Sequence, residues 1–150
     1  MATRGDNEGY SRGRSAASKA VMRSGCHFAQ FTVVEGDDLY FGVIRQDWDV
    51  EVRDNEPVEA AGHCFYTTSD GWRFPYCREH WEGMQGAQEP GDRIGMLLDL
   101  DQGSKTIWKN DVKLGVMVAE GLKGPLCWAA PLYATGDRVR IESAPLPADA

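Results

Sequence analysis

The chain has 150 residues, 42% of them hydrophobic, and its formal net charge at pH 7 is −7. This length suits one domain that buries about 70% of the surface of its unfolded chain. Residues 1–24 hold five basic and two acidic side chains, a net +3, so the remaining eleven basic and twenty-one acidic side chains give −10. Such an acidic body argues against nucleic acid as the main partner, since it repels phosphate backbones. No apolar run approaches the ~18 residues that span a bilayer, so we expect no membrane segment.

The predicted elements along the chain are short strands separated by turns. Residues 1–23 form a basic arm rich in Gly, Ser and Ala, which is expected to be flexible and solvated. Residues 46–61 form a long, mostly acidic connection. No segment of ten residues has a convincing helical period, so the pattern predicts an all-β sandwich or barrel. The predicted strands are Cys26–Glu35, Leu39–Arg45, Gly62–Thr68, Trp72–Tyr76, Ile94–Leu100, Thr106–Trp108, Val112–Val118, Leu126–Tyr133 and Arg138–Glu142.

The segment from Gly91 to Val116 shows this pattern most clearly. Apolar residues alternate with other residue types from Ile94, which is the period that places successive side chains on opposite faces of a strand. Gly103 supplies a turn that needs a positive φ, and Asn110-Asp111 supplies a second turn, because these residues tolerate the left-handed region. The segment is therefore predicted to be an antiparallel meander of three strands.

The motifs of this meander resemble those of the SPRY domain family. The resemblance covers roughly Ser24 to Ser143 and implies a concanavalin A-like, bent sandwich of two antiparallel sheets. It divides the chain into the arm (1–23), a SPRY domain (24–143) and a C-terminal tail (144–150), with no evident PRY extension. The motifs that carry it are Phe41-Gly42-Val43, Gly91-Asp92, Ile94-Gly95, Leu98-Asp99-Leu100-Asp101, Gly103, Trp108-Lys109-Asn110, Leu114-Gly115-Val116, Gly124-Pro125-Leu126 and Gly136 to Ile141.

Three groups of Cys and His could in principle bind a metal or act as a nucleophile: Cys26-His27, His63-Cys64 and Cys77 with His80. Adjacent residues of a strand point to opposite faces. The first two pairs are therefore poorly placed to bind one metal ion together, or to act as a nucleophile and its base. We predict no metal, no cofactor and no enzyme activity. Cys26, Cys64 and Cys127 are instead expected to be small buried hydrophobes. Asp99 and Asp101, a carboxylate pair on one strand face, are expected to support the hairpin turn.

Loops on a rigid scaffold commonly carry recognition residues, and aromatic and Arg side chains dominate protein–protein hot spots. In SPRY domains, loops at one end of the sandwich form a shallow pocket for short peptides. Trp48 and Trp72 could instead simply cover sheet edges, and Trp108 and Trp128 are expected in the core. The predicted partner-binding residues are Arg45, Gln46, Asp47, Trp48, Tyr66, Asp70, Gly71, Trp72, Tyr133 and Thr135.

The sequence thus predicts a non-enzymatic protein–protein interaction module that binds a short peptide or loop of a partner protein. We expect a monomer in the cytoplasm, with the nucleus as an alternative compartment. The alternative function is a lectin-like carbohydrate-binding module, in which Asp37-Asp38 or Asp99 and Asp101 would hold calcium. The acidic stretch of residues 47–59 has two interpretations, selection of a basic ligand or a solvated loop that favours solubility.

Overall fold

The structure, a computed structural model, describes residues 2–3, 15–17, 20–37, 39–45, 63–74, 81–131 and 136–150. This part of the chain is all strand, turn and coil, and it holds no helix that could cross a membrane. In chain order its strands are β1 (Ala2–Thr3), β2 (Ser15–Ala17), β3 (Cys26–Glu35), β4 (Tyr40–Ile44), β5 (His63–Thr67), β6 (Arg73–Phe74), β7 (Arg93–Asp99), β8 (Ser104–Lys109), β9 (Val112–Val118), β10 (Cys127–Pro131) and β11 (Arg138–Ser143).

The strands form two antiparallel sheets. Sheet I has the order β1-β11-β3-β7-β8-β9, and sheet II has the order β2-β10-β4-β5-β6. Every strand pair in both sheets is antiparallel. The prediction of an all-β fold with two antiparallel sheets is confirmed, and each strand predicted downstream of the arm has a counterpart whose ends shift by a few residues at most.

The meander β7-β8-β9 forms half of sheet I, with the two turns that the sequence predicts. Gly103 has φ +78°, and Asn110 and Asp111 have φ values of +49° and +72°. The Asp99 carboxylate accepts hydrogen bonds from the backbone N–H groups of Asp101 (3.0 Å) and Gln102 (3.1 Å). The Asp101 carboxylate accepts one from Gly25 at 3.2 Å. Both carboxylates therefore support loop structure, as expected for hairpin residues.

An aromatic cluster joins the two sheets across the core. Phe31 of sheet I stacks on Phe41 of sheet II, with ring centroids 5.1 Å apart, and meets Trp128 edge to face at 5.9 Å. Tyr66 continues the stack behind Phe41 at 6.4 Å. The four side chains are 5% exposed or less, so each adds burial energy as well as the ~0.5–1.5 kcal/mol typical of an aromatic pair.

Two short pieces of the N-terminal arm pair with the edges of the sheets. β1 pairs with β11 at the edge of sheet I, and β2 pairs with β10 at the edge of sheet II. Met22 is only 4% exposed and forms a bridge with Leu126. The composition of the arm does not predict these short strands, because an edge strand is stabilised by backbone pairing with a strand that is distant in sequence.

The cysteines divide into buried and exposed positions. Cys64 and Cys127 are buried, as predicted, and Trp128 lies in the core, as predicted. Trp108 is also buried, but on the outer face of sheet I, which corrects its predicted place in the core. Cys26 is exposed, which corrects the expectation of a buried hydrophobe. It opens β3 at the end of the sheet, where alternation alone does not ensure that a neighbour covers the side chain. Cys77 lies outside the described residues.

Lys105 is a fully buried cation in the sandwich. The alternation that directs Ile107 into the core places Lys105 on the same inner face of β8. Its Nζ donates a hydrogen bond of 2.8 Å to the Cys64 carbonyl in the opposite sheet. Burial lowers the pKa of Lys105, and the nearby Arg73 charge lowers it further, whereas Cys64 acts in the opposite direction.

This lowered pKa makes stability depend on pH. In the unfolded chain Lys105 has its ordinary pKa of 10.5, so between the lowered pKa and pH 10.5 the unfolded state binds more protons. We expect the free energy of unfolding to rise with pH in that interval, by up to about 1.4 kcal/mol per pH unit, and to lose this gain as pH falls through the folded pKa.

Urea unfolding between pH 7 and 9.5 measures the effect. The Lys105→Met variant keeps an unbranched apolar side chain but cannot titrate, so its curve should lack the rise. Lys123→Met, at an exposed position, is the matched control and should behave like the original protein. If the free energy of unfolding depends on pH identically in the original chain and in Lys105→Met, the rise does not come from the titration of Lys105.

Candidate functional site

The strand register determines which loops meet at each end of the sandwich. Tyr40 pairs with Thr67 and Ile44 pairs with His63, so β4 begins where β5 ends. β10 runs against β4 with Cys127 opposite Ile44, which brings the C-terminal end of β10 beside the start of β4. We call the end that holds the β5–β6 connection the turn end.

The predicted binding residues do not all gather at the turn end. Asp70, Gly71 and Trp72 lie there, in the connection between β5 and β6. Arg45 follows the last residue of β4 and therefore lies at the opposite end, ~17 Å from the level of Tyr40 along the strand. The expectation that one end holds every predicted loop thus fails for Arg45. Gln46, Asp47, Trp48, Tyr133 and Thr135 lie outside the described residues.

Tyr66 belongs to the core instead of the loop surface. It is fully buried, and its hydroxyl donates a hydrogen bond of 2.6 Å to the Gln85 carbonyl. Burial, and secondarily the charge of Asp92, raises the pKa of Tyr66, so the hydroxyl stays a neutral donor. Within this structure, Tyr66 supports the loops from beneath.

The connection between β5 and β6, residues 68–72, is a compact turn that we call the Gly71 turn. Gly71 has φ +79°, and its N–H donates to the Thr67 carbonyl at 2.8 Å. Thr67 in turn donates to the Trp72 carbonyl at 3.1 Å. The buried Thr68 hydroxyl accepts from the Leu39 N–H at 2.8 Å, which ties the turn to the start of β4.

A second segment, residues 81–88, holds the Gly71 turn from the side. Ala87 donates its N–H to the Thr68 carbonyl at 2.8 Å, and the Gln88 side-chain amide donates to the Ser69 carbonyl. The Trp81 indole N–H donates to the Gly71 carbonyl at 2.7 Å. Each of these bonds satisfies a turn carbonyl, so the backbone of the turn is fixed by its neighbours.

The segment 81–88 also closes the open edge of the sandwich. Trp81 packs against the core and approaches Gly115 of β9, where a Cβ would lie 3.9 Å from its ring. Arg73 of β6 donates to the Met117 carbonyl of β9 at 3.4 Å. The sequence predicts no strand in this segment and does not single out Trp81, although a Trp within a polar connection is itself a sign of packing.

The surface around the Gly71 turn combines aromatic and acidic groups. Trp72 and Trp81 are half-buried, and Asp70 is exposed. Glu82 of the segment 81–88 is also exposed, as is Glu89, which directly follows this segment. Such a surface complements a ligand that offers apolar area together with a positive charge.

The cysteine chemistry weighed from the sequence gains no support. Partial desolvation and the nearby Asp99 carboxylate raise the pKa of Cys26, and burial raises the pKa of Cys127, whereas a nucleophile needs a lowered pKa. Among the residues with described positions, no group of three or more His, Cys, Asp or Glu side chains could hold a metal. His80 lies outside them.

Comparison with solved structures identifies the architecture. The chain is similar to the SPRY domain of human HERC1, with a TM-score of 0.74 and 17% identity over 88% of this chain and 83% of that one. The chain has a SPRY-like fold. A second human SPRY domain matches with a TM-score of 0.62 and 16% identity over 85% of this chain and 82% of that one. No family model and no curated protein matches the sequence.

The close fit of the Gly71 turn to the segment 81–88 predicts a specific sensitivity to substitution. A Cβ at Gly71 would lie 2.2 Å from the Gln85 carbonyl oxygen, in addition to the strain of its positive φ. We expect Gly71→Ala to lower the free energy of unfolding by about 2–4 kcal/mol, because backbone must move.

Gly91→Ala is the matched control. Gly91 has a comparable φ of +93°, but its Cβ would meet nothing within 4 Å. We expect a loss of only about 1 kcal/mol in the same chemical denaturation experiment. Equal losses in the two variants would show that the turn does not pack against segment 81–88.

Proposed function

We propose that this domain is a non-enzymatic protein-interaction module that binds a short peptide or loop of a partner protein at the turn end. The observation that carries the proposal is the Gly71 turn itself. Neighbouring side chains and backbone hold its carbonyls at positions 68, 69 and 71, and it presents Asp70 beside Trp72. A preorganised surface loses little conformational entropy when it binds a partner.

The chemistry of the surface specifies the ligand class. Trp72 and Trp81 offer aromatic area, which supplies most of the binding energy at small interfaces. Asp70, Glu82 and Glu89 favour a peptide that carries Lys or Arg next to apolar residues, and they accelerate its association. We therefore propose a basic, apolar peptide as the ligand.

We also propose a reducing compartment, on the basis of the thiols. Cys26, Cys64 and Cys127 are free, and an exposed free thiol such as that of Cys26 is typical of reducing compartments. This supports a partner in the cytoplasm. That the protein is a monomer remains a prediction, which light scattering can test.

Selection from a displayed random-peptide library tests the ligand class. The original chain should enrich peptides with Lys or Arg flanked by apolar residues, and Trp72→Ala should bind the selected peptides at least tenfold more weakly, because the aromatic contact is lost. Asp70→Asn should weaken binding several-fold at low salt and less at high salt, since the exposed charge is screened. Peptide affinities are measured by fluorescence anisotropy.

Arg45→Ala serves as the matched control, because Arg45 lies at the opposite end of sheet II. It should retain the affinity of the original chain, and all variants should keep the original melting temperature within a few degrees. Loss of binding in Arg45→Ala but not in Trp72→Ala would move the site to the other end. Retention on immobilised glycans, released by free sugar, would favour the lectin alternative instead.

A further inference from the structure

The outer face of sheet I carries an aromatic floor where a sandwich normally presents polar residues. Ile107 and Ala29 belong to the core between the sheets, so their neighbours Trp108 and Phe28 lie on the opposite, outer face. The two rings meet edge to face with centroids 5.6 Å apart. Even so, Trp108 is only 2% exposed and Phe28 only 8% exposed. Something therefore covers them.

Gly95 keeps this floor open. It lies on β7 directly opposite Trp108, between the strands that carry the two rings. A Cβ at this position would come within 2.6 Å of Phe28 Cζ and 3.4 Å of Trp108 Cβ. The absence of a side chain at Gly95 therefore allows the rings to meet above β7.

The cover is the C-terminal tail, residues 144–150. At its start, Ala144 donates its N–H to the Phe28 carbonyl at 3.2 Å. Near its end, the Trp108 indole N–H donates to the Asp149 carboxylate at 3.0 Å, and Lys113 Nζ donates to the Asp149 carbonyl at 3.2 Å. The tail thus crosses the floor and is held at both ends.

The tail has the features of a bound peptide. Pro145 and Pro147 line the space above the floor together with Phe28, Gly95 and Trp108. Proline pairs on an aromatic groove are a recurring mode of peptide recognition, because an extended proline segment is already ordered before it binds. The Asp149 carboxylate accepts the hydrogen bond from the Trp108 indole N–H, and the Lys113 ammonium lies 5.6 Å from the centre of the same indole.

The tail fills this groove incompletely. A cavity of about 380 Å³ remains between the tail and the floor. Leu146 of the tail is 54% exposed, and Val116, on the outer face of β9 beside Thr106, is 50% exposed. A segment held by a few hydrogen bonds, without strand pairing, belongs to the less stable part of a fold. The tail can therefore be displaced without unfolding either sheet.

We propose that this groove is a second binding site, for a partner-protein segment with a proline pair followed by an acidic residue, and that residues 145–149 occupy it as an intramolecular competitor. The site lies on the outer face of sheet I and does not depend on the proposed function of the turn end. A partner segment longer than the tail gains the exposed Val116 as an additional apolar contact.

The tether determines how strongly the tail competes. A short linker holds a segment at an effective concentration in the millimolar range. If the isolated segment binds with a dissociation constant of about 100 µM, as is typical of small interfaces, the tail occupies the groove about ten times more often than it leaves it free. A free peptide then binds the original chain about tenfold more weakly than a chain with a released tail.

The test uses chains of residues 1–150 and a fluorescein-labelled peptide with the sequence of residues 143–150, Ser-Ala-Pro-Leu-Pro-Ala-Asp-Ala. Two variants release the tail in different ways, Asp149→Ala and the double change Pro145→Gly/Pro147→Gly. Both should bind the peptide about tenfold more tightly than the original chain in fluorescence anisotropy. Adding Trp108→Phe, which keeps the aromatic contact but removes the indole donor, should cancel most of this gain.

Control measurements distinguish this groove from the turn end and from exchange of tails between copies. A peptide with Ala in place of Asp should bind the released variants at least tenfold more weakly, and Trp72→Ala should leave tail-peptide binding unchanged. Equal peptide affinity in the original chain and both released variants would overturn the competitor role. Absence of binding to released variants that melt like the original chain would overturn the site itself. Concentration-dependent dimers of the original chain in light scattering would show that tails exchange between copies, against an intramolecular competitor.

Discussion

The contact between Phe31 and Phe41 is the constraint on which the rest of the sandwich depends. Their stack at 5.1 Å, closed by Trp128 at 5.9 Å, couples sheet I to sheet II at the centre of both. These rings belong to the main core between the sheets, where each sheet covers the inner face of the other. The coupling also fixes the start of β4, to which the Leu39 N–H ties the Gly71 turn.

Hydrogen bonds from two polar side chains also link the two sheets at the edge of the sandwich. Lys105 reaches from sheet I to a carbonyl of sheet II, and Arg73 reaches from sheet II to a carbonyl of sheet I. A buried cation opposes folding unless it finds acceptors, so this edge is held by directional bonds more than by burial. The segment 81–88 packs over the same edge. Its residues Trp81 and Ala87 donate hydrogen bonds to carbonyls of the Gly71 turn and so fix the backbone of that turn. A binding surface beside such an edge combines a fixed backbone with side chains that remain accessible.

The two proposed sites differ in their chemistry. The turn end presents acidic and aromatic groups, which suit a basic peptide. The outer face of sheet I offers an indole N–H and the Lys113 ammonium, which suit an acidic residue, and the tail already satisfies both. Opposite charge preferences on two faces allow one small domain to engage two unlike segments without competition between them.

The sequence by itself determined much of the local structure. Alternation in β3 and in the meander predicts those strands closely, and Gly103 and Asn110-Asp111 adopt the positive φ values that their residue types favour. These features depend on interactions within a few residues, which is why a linear pattern shows them. The same patterns predicted an all-β sandwich or barrel, and they placed Asp70, Gly71 and Trp72 on one turn. The two antiparallel sheets were implied by the resemblance to SPRY domains.

Only the tertiary structure decided which of these features meet. The pairing of β4 with β5 separates Arg45 from Trp72, although both follow strands in the sequence. The burial of Lys105, the support of the turn by Trp81 and the seat of Asp149 on Trp108 join residues 10 to 41 positions apart. The edge strands of the arm and the exposure of Cys26 likewise depend on neighbours that composition does not identify. Residue propensity and the hydrophobic period indicate which strand a residue belongs to and which face of that strand it occupies. Its partners in the opposite sheet are instead determined by the packing of the whole chain.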